Sequence, residues 1–321
     1  MKRTVVDPNG DPLASAQLEK AVEAIRAGKL VAFPTETVYG LGADATNADA
    51  VASIFAAKGR PAFNPLIIHV ASMEKAVQLV EFNDHAKLLA ETNWPGPLTI
   101  VLPRKDDCPV ALLAGAGLET LAIRVPENSY ARKFLSRVDV PIAAPSANKS
   151  GSVSPTTADH VRESLGDVVD LILDDGPCQI GLESTIIDLT DDVPVLLRSG
   201  GVTIEMLERQ IGSIQAAVDD NSAPKAPGML SRHYATSIPL RMNATELEEG
   251  EALLAFGGRT LGPAPAVCNL SRAGDLNEAA ANLFDMMRKL DRPDLKGIAV
   301  MEIPKTGLGR AINDRLRRAS R

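Results

Sequence analysis

Short apolar runs of strand length alternate with amphipathic helical segments along nearly the whole chain. Within residues 16–27, apolar side chains recur at i, i+3, i+4 and i+7 from Leu18 to Ile25, which is typical of a helix with one buried face. Leu98–Leu102 is almost entirely apolar over the length of a buried strand. Strands interleaved with helices predict an α/β (α+β) protein, in which helices cover a sheet.

The predicted elements form a long first part and a shorter tail. Helices of the first part are predicted at residues 16–27, Thr46–Lys58, Met73–Val80, Ser129–Arg137, Thr157–Leu165 and Ile204–Ile211. Its strands are predicted at Leu30–Phe33, Leu66–Val70, Leu98–Leu102, Leu121–Val125, Pro141–Ala144, Leu171–Leu173, Ser184–Leu189 and Val195–Arg198. The tail has predicted strands at Ala252–Phe256, Ala266–Leu270 and Ile298–Ile303, and helices at Leu276–Leu290 and Ala311–Arg318.

A change of composition separates the two parts. The chain becomes rich in alanine and aspartate after residue 212 and then carries a Pro227-Gly228 turn signal. We therefore predict one domain at residues 12–212, a linker at 213–237 and a second, βαβ-type domain at 238–321. The length of 321 residues agrees with two domains, because an average domain has about 100–200 residues.

Composition excludes several classes of protein. No apolar run reaches about 18 residues and the N-terminus lacks the apolar core of a secretory signal, so we expect no membrane helix and a cytoplasmic location. Cys108, Cys178 and Cys268 form no CxxC pair, which fits a reducing compartment. The net charge of −7 disfavours a general nucleic-acid binder, and 3% aromatic residues leave little material for base stacking.

The segment Gly40–Ala45 formally matches the GxGxxG/A pattern of dinucleotide-binding folds. That pattern needs a strand directly before it and an acidic residue about 20 positions later. Here Thr35–Tyr39 intervene, and the region near Asn64 has no acid. We therefore interpret these glycines as belonging to a tight turn.

Polar residues collect where predicted strands end, which is where loops commonly carry functional groups. Thr35, Glu36, Thr37 and Tyr39 follow the first strand and either orient a polar ligand or form an ordinary turn. Lys58 and Arg60 flank a glycine. Either both cations bind the same polyphosphate, or they only complement the helix dipole at the C-terminus of a helix.

Further candidates lie on or after later strands. The segment 144–151 follows the strand ending at Ala144 and reads either as a phosphate- or ribose-binding loop or as a solvated Ser/Gly loop. Arg124 and Arg198 are embedded in apolar strands and need partners, because burial of an unpaired charge is costly. Those partners are an anionic ligand or structural carboxylates such as Glu183 or Asp188. A lone histidine in a strand, as at position 69, is more often structural than functional.

Several common catalytic patterns do not occur. The chain has no GxxxxGK[ST] loop, no HExxH and no GxSxG, and its four histidines form no ligand set, so we predict no protein-bound metal. A site built on positive charge and positioning is typical of phosphoryl or nucleotidyl transfer. We expect the segments Phe33–His69 and Arg124–Ser154 to build one ATP-handling pocket.

Taken together, eight ordered motifs resemble the threonylcarbamoyl-AMP synthase family in its long two-domain form. They are PTETVYGLG at 34–42, KGRPAFNPLIIHV at 58–70, WPGPLTIVL at 94–102, IRVP at 123–126, APSANKSGSVSPTT at 144–157, GLESTIID at 181–188, LLRSGG at 196–201 and PGMLSRHYA at 227–235. The resemblance implies a YrdC-like twisted mixed sheet with helices and a smaller Rossmann-like α/β C-terminal domain. It also implies that the linker closes over the site, although Thr236 stands where the family usually has proline.

The resemblance implies an L-threonylcarbamoyladenylate synthase, a nucleotidyltransferase that converts L-threonine, bicarbonate and ATP. Its product feeds the t6A modification at tRNA position 37, so the implied partners include the tRNA-modification machinery, with weak tRNA binding. Mg²⁺ would accompany ATP. Lys58 and Arg60 are the implied catalytic residues. The implied ATP-binding residues are Lys58, Arg60, Asn64, Thr120, Ser146, Asn148, Ser154, Arg198 and Tyr234. The implied L-threonine-binding residues are Thr37, His69, Arg124, Ala144 and Ser184.

Two other hypotheses stay open on the sequence. YrdC-like domains have a concave basic surface able to hold RNA, although a net charge of −7 speaks against RNA binding as the main role. A carbamoyl transferase of the hydrogenase-maturation type shares the domain but is expected to carry zinc-finger cysteine pairs, which this sequence does not contain.

Overall fold

The computed structural model describes residues 12–217 and 233–320. The helices are α1 Pro12–Arg26, α2 Ala48–Lys58, α3 Met73–Ala76, α4 Asp84–Asn93, α5 Ser129–Val138, α6 Ala158–Leu165, α7 Ile204–Ile211, α8 Leu276–Leu290 and α9 Leu308–Ala319. The strands are β1 Val31–Phe33, β2 Gly40–Asp44, β3 Ile67–His69, β4 Leu98–Pro103, β5 Thr120–Arg124, β6 Ile142–Ala143, β7 Leu171–Ile172, β8 Thr185–Asp188, β9 Val195–Arg198, β10 Gln215–Ala216, β11 Leu240–Arg241, β12 Glu251–Ala255, β13 Val267–Asn269 and β14 Gly297–Val300.

Two sheets organise the described residues. The larger sheet has ten strands in the order β10-β9-β8-β4-β5-β3-β6-β2-β1-β7 and mixes parallel with antiparallel pairs. The smaller sheet has four strands in the order β11-β14-β12-β13, all of them parallel. The predicted α/β class, with a mixed main sheet and a small parallel C-terminal sheet, is confirmed.

Helices cover both faces of the larger sheet. The side chains of α1 and α5 pack with Phe33 into one apolar cluster, whereas α2, α4, α6 and α7 contribute to a larger cluster that contains Ile68 and Ile100. Local capping sets the helix ends: the Asn47 side chain accepts hydrogen bonds at the start of α2, and Gly59 ends α2 with φ of 60°. Among the described residues, no helix is long and apolar enough to cross a membrane.

The cores of the two sheets meet. Val38, Val153 and Leu182 of the larger unit pack into the same apolar cluster as Leu283 and Phe284 of α8. This shared cluster joins the two units through buried apolar contacts.

The structure differs from the predicted elements at several positions. Gly40–Asp44 is a strand and not a tight turn. A Cβ atom at Gly42 would lie 2.9 Å from the Phe33 ring, so glycine is needed for close packing. The segment is therefore not a dinucleotide-binding loop, as predicted, but the interpretation of its glycines as a tight turn was wrong.

Other differences concern weak patterns. The predicted helix Met73–Val80 is only the short α3, because Val80 forms an isolated bridge to Arg104. Helix α4 was missed, since it buries only Ala86, Leu89 and Ala90. Strands β10 and β11 were also missed, both with two residues. Strand β10 lies inside the predicted linker. Residues 218–232 of that linker are outside the described residues. The domain limits stay a prediction.

One glycine lies where two backbone segments nearly touch. A Cβ atom at Gly200 would lie 2.3 Å from the carbonyl oxygen of Glu183 and 2.4 Å from the carbonyl carbon of Ser184. Backbone atoms cannot rotate away, so we expect Gly200→Ala to lower the free energy of unfolding by roughly 1–3 kcal/mol in chemical denaturation. The control is Gly258→Ala, where the nearest atom is 3.9 Å away. Equal stability of both variants would contradict the close approach.

Candidate active site

A central cleft opens where β3, β5 and the loop after β1 meet the loop after β6 and the residues before β8. The empty space around its lining is about 530 Å³ with open solvent included, and the part of it that a water-sized molecule can occupy is about 40 Å³. Hydroxyl groups, cations and two histidines line it together with a few apolar side chains. The lining residues are Thr35, Thr37, Val38, Gly40, Arg60, Ile67, His69, Arg124, Ala144, Pro145, Ser146, Glu183, Ser184, Arg198, His233 and Tyr234.

The central cleft brings together residues that are far apart in the sequence. Every residue predicted for L-threonine lines it: Thr37, His69, Arg124, Ala144 and Ser184. Four residues predicted for ATP also line it: Arg60, Ser146, Arg198 and Tyr234. The expected convergence of the segments 33–69 and 124–154 is thus present in the geometry.

Five predicted residues do not line the central cleft. Lys58, Asn148 and Ser154 lie behind its wall, where their side chains bond to other protein groups. Asn64 is buried, and its side-chain amide makes no hydrogen bond. Thr120 begins β5, four residues from Arg124, which is roughly 13 Å along a strand. Their ATP contacts stay predictions.

The loop between β1 and β2 is held by one hydroxyl group. Thr35 Oγ1 donates to the Val38 carbonyl oxygen at 2.7 Å and accepts from the backbone N–H groups of Thr37 and Val38. This side-chain turn fixes a segment that is otherwise irregular. It directs Glu36 and Thr37 towards the end of β5.

Arg124 is a buried cation that lines the central cleft. On β5 it is the register partner of His69 on β3. Its guanidinium donates to Thr37 Oγ1 at 2.9 Å and to the Gly96 carbonyl at 3.2 Å, and it forms a buried ion pair with Glu36. The alternative that Arg124 pairs with Glu183 or Asp188 is wrong, because its carboxylate partner is Glu36. Fixed in this way, Arg124 presents a donor group to a ligand without further ordering.

Three further cations, Lys58, Arg60 and Arg198, lie at or behind the wall of the central cleft. Lys58 donates to the Ser146 and Asn148 carbonyls, and Arg60 donates to the Asn64 and Pro65 carbonyls. Arg198 donates to the Ser184 carbonyl at 2.9 Å. The carbonyl acceptors of Lys58 and Arg60 are neutral and do not offset the charge of these two cations.

Burial and mutual repulsion act on these cations together. Burial and the neighbouring Arg60 hold the pKa of Lys58 well below its usual value. Burial and Arg198 lower the pKa of Arg60 to about 9, and burial lowers that of Arg198 to about 10. An anion in the central cleft would relieve both effects, because it stabilises the charged forms. The electrostatics therefore favour an anionic ligand.

Glu183 connects the central cleft to the C-terminal sheet. Its carboxylate accepts from Ser154 Oγ at 2.6 Å and from Arg315 Nε on α9 at 2.9 Å. Burial alone would raise the pKa of Glu183, but Arg315 and Arg198 outweigh it and lower the pKa to about 2. Glu183 is therefore ionised at neutral pH.

The end of the predicted linker passes over the central cleft. Tyr234 adopts φ of 63°, stacks on Phe284 with ring centroids 5.5 Å apart and lies beneath the Arg315 guanidinium. The Ala235 N–H donates to the Gly151 carbonyl at 2.8 Å. Where the family usually has proline, the Thr236 hydroxyl donates to the Ile238 carbonyl at 2.7 Å. Contacts from both units thus hold this segment.

Glu36, Glu183, His233 and Arg315 were not among the predicted site residues. Glu36 was considered as a group that orients a polar ligand or forms a turn, and Glu183 was considered only as an ion-pair partner. The sequence contained one indication that Arg315 is buried. It falls on the apolar face of α9, three residues after Ile312 and four after Ala311. An arginine in that position needs a buried partner.

The fold and this cleft define an α/β protein whose buried cationic site suits a small anionic ligand. A family model named Sua5–YciO–YrdC and described as "Telomere recombination" matches residues 23–200. A second, described as "Threonylcarbamoyl-AMP synthase, C-terminal domain", matches residues 202–321. The chain belongs to the threonylcarbamoyl-AMP synthase family.

Similar proteins cover nearly the whole chain. Threonylcarbamoyl-AMP synthase of Pyrococcus abyssi is 46% identical over 92% of both chains. The Bacillus subtilis protein of the same name is 42% identical over 95% of this chain and 93% of its own. The crystal structure of P. abyssi Sua5 complexed with L-threonine superposes with a TM-score of 0.88, at 42% identity and 94% coverage of each chain.

The buried His69 of the central cleft leads to a prediction about how stability depends on pH. Burial, with Arg124 nearby, lowers the pKa of His69 to about 3. An unfolded histidine titrates near 6.5, so below that pH the unfolded chain binds a proton that the folded chain does not. Stability is then lost as the pH falls. We expect His69 to account for about 2 kcal/mol of that loss between pH 6.5 and 5.

The check is chemical denaturation of wild type and His69→Gln at both pH values. The variant should lose less stability on acidification than wild type does. His85→Gln is the control, because His85 is exposed on α4. An unchanged pH dependence in His69→Gln would contradict a buried neutral imidazole.

Proposed function

We propose that this chain is an L-threonylcarbamoyladenylate synthase that uses L-threonine, bicarbonate and ATP and releases pyrophosphate. One observation carries the proposal: the residues that family resemblance implies for threonine line the same buried cleft as the cations Arg60 and Arg198. The family membership supports this reaction over an RNA-binding module or a carbamoyl transferase. The matches extend over the C-terminal domain as well.

The chemistry needs little from acid–base groups of the protein. The neutral amine of threonine attacks bicarbonate, which gives a carbamate and water. A carbamate oxygen then forms a bond to the α-phosphorus of ATP, while the bond from that phosphorus to the bridging oxygen breaks and pyrophosphate leaves. The attacking group is already an anion, so the protein contributes positioning and charge stabilisation.

Each side of the central cleft has its own role in this scheme. Arg124, oriented by Glu36 and Thr37, binds the threonine carboxylate. Arg60 and Arg198 stabilise the negative charge that builds on the phosphates. Lys58 acts through the backbone, since its ammonium group holds the Ser146 and Asn148 carbonyls and so shapes the loop after β6.

We expect Mg²⁺ to arrive on the ATP phosphates. In the described part of the chain, no three His, Cys, Asp or Glu side chains are grouped to hold a metal ion. The two carboxylates of this region, Glu36 and Glu183, are paired with Arg124 and Arg315. We further propose that the adenylate passes to the tRNA-modification machinery in the cytoplasm, with weak tRNA binding at most.

The deciding measurement is pyrophosphate release from ATP, with threonine or bicarbonate omitted in turn. We expect each omission to reduce release to background, because both reactants form the attacking carbamate. The adenylate itself should appear by mass spectrometry only in the complete mixture. Release that ignores both omissions would exclude the proposed reaction.

A matched pair of arginines tests the phosphate site. Arg60→Ala should leave the fold intact but lower kcat/KM about 100-fold or more, since it removes a cation from developing phosphate charge. Arg104→Ala is the control, because Arg104 likewise donates to two backbone carbonyls, those of Cys108 and Val110, outside the central cleft. Thermal unfolding of both variants verifies folding. Near wild-type turnover in a folded Arg60→Ala would refute the assignment.

A further inference from the structure

A buried hydroxyl group of β4 bonds to a residue that lines the central cleft. Thr99 has no exposed surface, and its Oγ1 lies 2.7 Å from Ser184 Oγ, which is the distance of a hydrogen bond between the two hydroxyl groups. Arg198 Nη2 donates to the same Ser184 Oγ at 3.1 Å and to the Ser184 carbonyl oxygen at 2.9 Å. Ser184 lines the central cleft, whereas Thr99 does not and was not among the predicted site residues.

The strand register places Thr99 in a row of polar residues that crosses the larger sheet. Extended by one position, the antiparallel register of β4 and β5 sets Thr99 opposite Arg124, and residues directly opposite each other project from the same face. On its other side, β4 pairs Thr99 with Ile186 of β8. Ser184 comes two residues before Ile186, so its side chain lies on that face as well. Thr99 therefore links the strand that carries Arg124 to the segment that carries Ser184.

The available acceptors decide which of the two hydroxyl groups donates. Within residues 12–217 and 233–320, the Thr99 hydroxyl has no hydrogen-bond partner other than Ser184. If Ser184 donated to Thr99, the buried Thr99 proton would have no acceptor, and an unmet buried donor is costly. Thr99 is therefore the donor. Ser184 Oγ then accepts from both Thr99 and Arg198, which occupies its two lone pairs and directs its own proton to a third partner.

We propose that Thr99 is a positioning residue for L-threonine: it holds Ser184 with its O–H proton directed into the central cleft, where that proton bonds the substrate carboxylate. This inference rests on the proposed function for the identity of the ligand. A carboxylate accepts several hydrogen bonds, so Arg124 and Ser184 share it. The row across β5, β4 and the start of β8 puts both donors on one face of the sheet. Thr99 itself touches no substrate atom in this scheme.

Removal of the Thr99 hydroxyl has a predictable consequence. Thr99→Val keeps the shape of the side chain but takes one donor away from Ser184 Oγ, so the Ser184 hydroxyl is no longer held in one orientation. We expect the Kd and the KM for L-threonine to rise about three- to tenfold, the effect of one hydrogen bond, and the KM for ATP to change less than about twofold. Thr99→Ser keeps the hydroxyl and should stay within about twofold of wild type for both substrates.

Two comparisons separate positioning from simple support of the sheet. Thr185→Val is the matched control, because Thr185 is equally buried, projects from the other face of β8 and bonds the Val202 backbone. We expect it to leave the affinity for threonine unchanged. In a Ser184→Ala background, Thr99→Val should cause no further loss of threonine binding, because the group that Thr99 positions is already gone.

The measurements are calorimetric binding of L-threonine, steady-state pyrophosphate release at varied threonine and at varied ATP, and thermal unfolding to verify folding. If Thr99→Val does not fold, Thr99→Cys takes its place with the same expected result, because a thiol is a weak donor. Unchanged threonine binding in the folded variant would overturn the proposal. An equal rise of the KM for both substrates, or an additive loss in the Ser184→Ala background, would overturn it as well.

Threonine binding is measured without turnover, so two failures are distinguishable. A wild-type protein that binds no threonine would contradict the proposed function. Wild-type binding that Thr99→Val leaves unchanged would contradict only the role of Thr99.

Discussion

A single buried carboxylate, Glu183, is bonded to both halves of the molecule. Ser154 holds it from the larger domain and Arg315 holds it from α9 of the smaller one. Burial of such a pair is costly, and loss of either partner leaves an uncompensated charge, so the two domains are linked at this point by a contact that neither can lose cheaply. An apolar cluster also joins Val153 and Leu182 of the larger domain to Phe284 of α8. Closure of the cleft by Tyr234 depends on the same placement, because its ring lies between Phe284 and Arg315.

Within the central cleft, charges are arranged by sheet geometry. The adjacent strands β3 and β5 place His69 beside Arg124, and the loop after β1 adds Glu36 and Thr37. On the other side, Arg60 donates to the Pro65 carbonyl and Arg198 donates to the Ser184 carbonyl. One cation is thus fixed by a carboxylate and suits a small zwitterion, whereas the others form a positive patch that suits a polyphosphate. The division agrees with a substrate pair of an amino acid and a nucleotide.

Much of the secondary structure could be predicted, because apolar periodicity is a local property. Helix α7 has the predicted bounds, and β9 agrees residue by residue. The failures have physical causes. Gly40–Asp44 forms a strand because its glycines fit against the Phe33 ring, and neither propensity nor periodicity reports a distant ring. Helix α4 has too narrow an apolar stripe, and the two-residue strands β10 and β11 exist only through pairing with β9 and β14.

The sequence by itself determined the α/β class, the two-part organisation of the chain and, through ordered motifs, most of the polar groups that line the central cleft. These properties follow from local periodicity and from residue types that sit at strand ends. Only the tertiary structure decided which charges meet. It paired Arg124 with Glu36 and Glu183 with Arg315, over separations of 88 and 132 residues. Such pairs depend on strand order and domain packing. No local sequence pattern contains that information, because a buried charge pairs with whichever opposite charge lies near it in space.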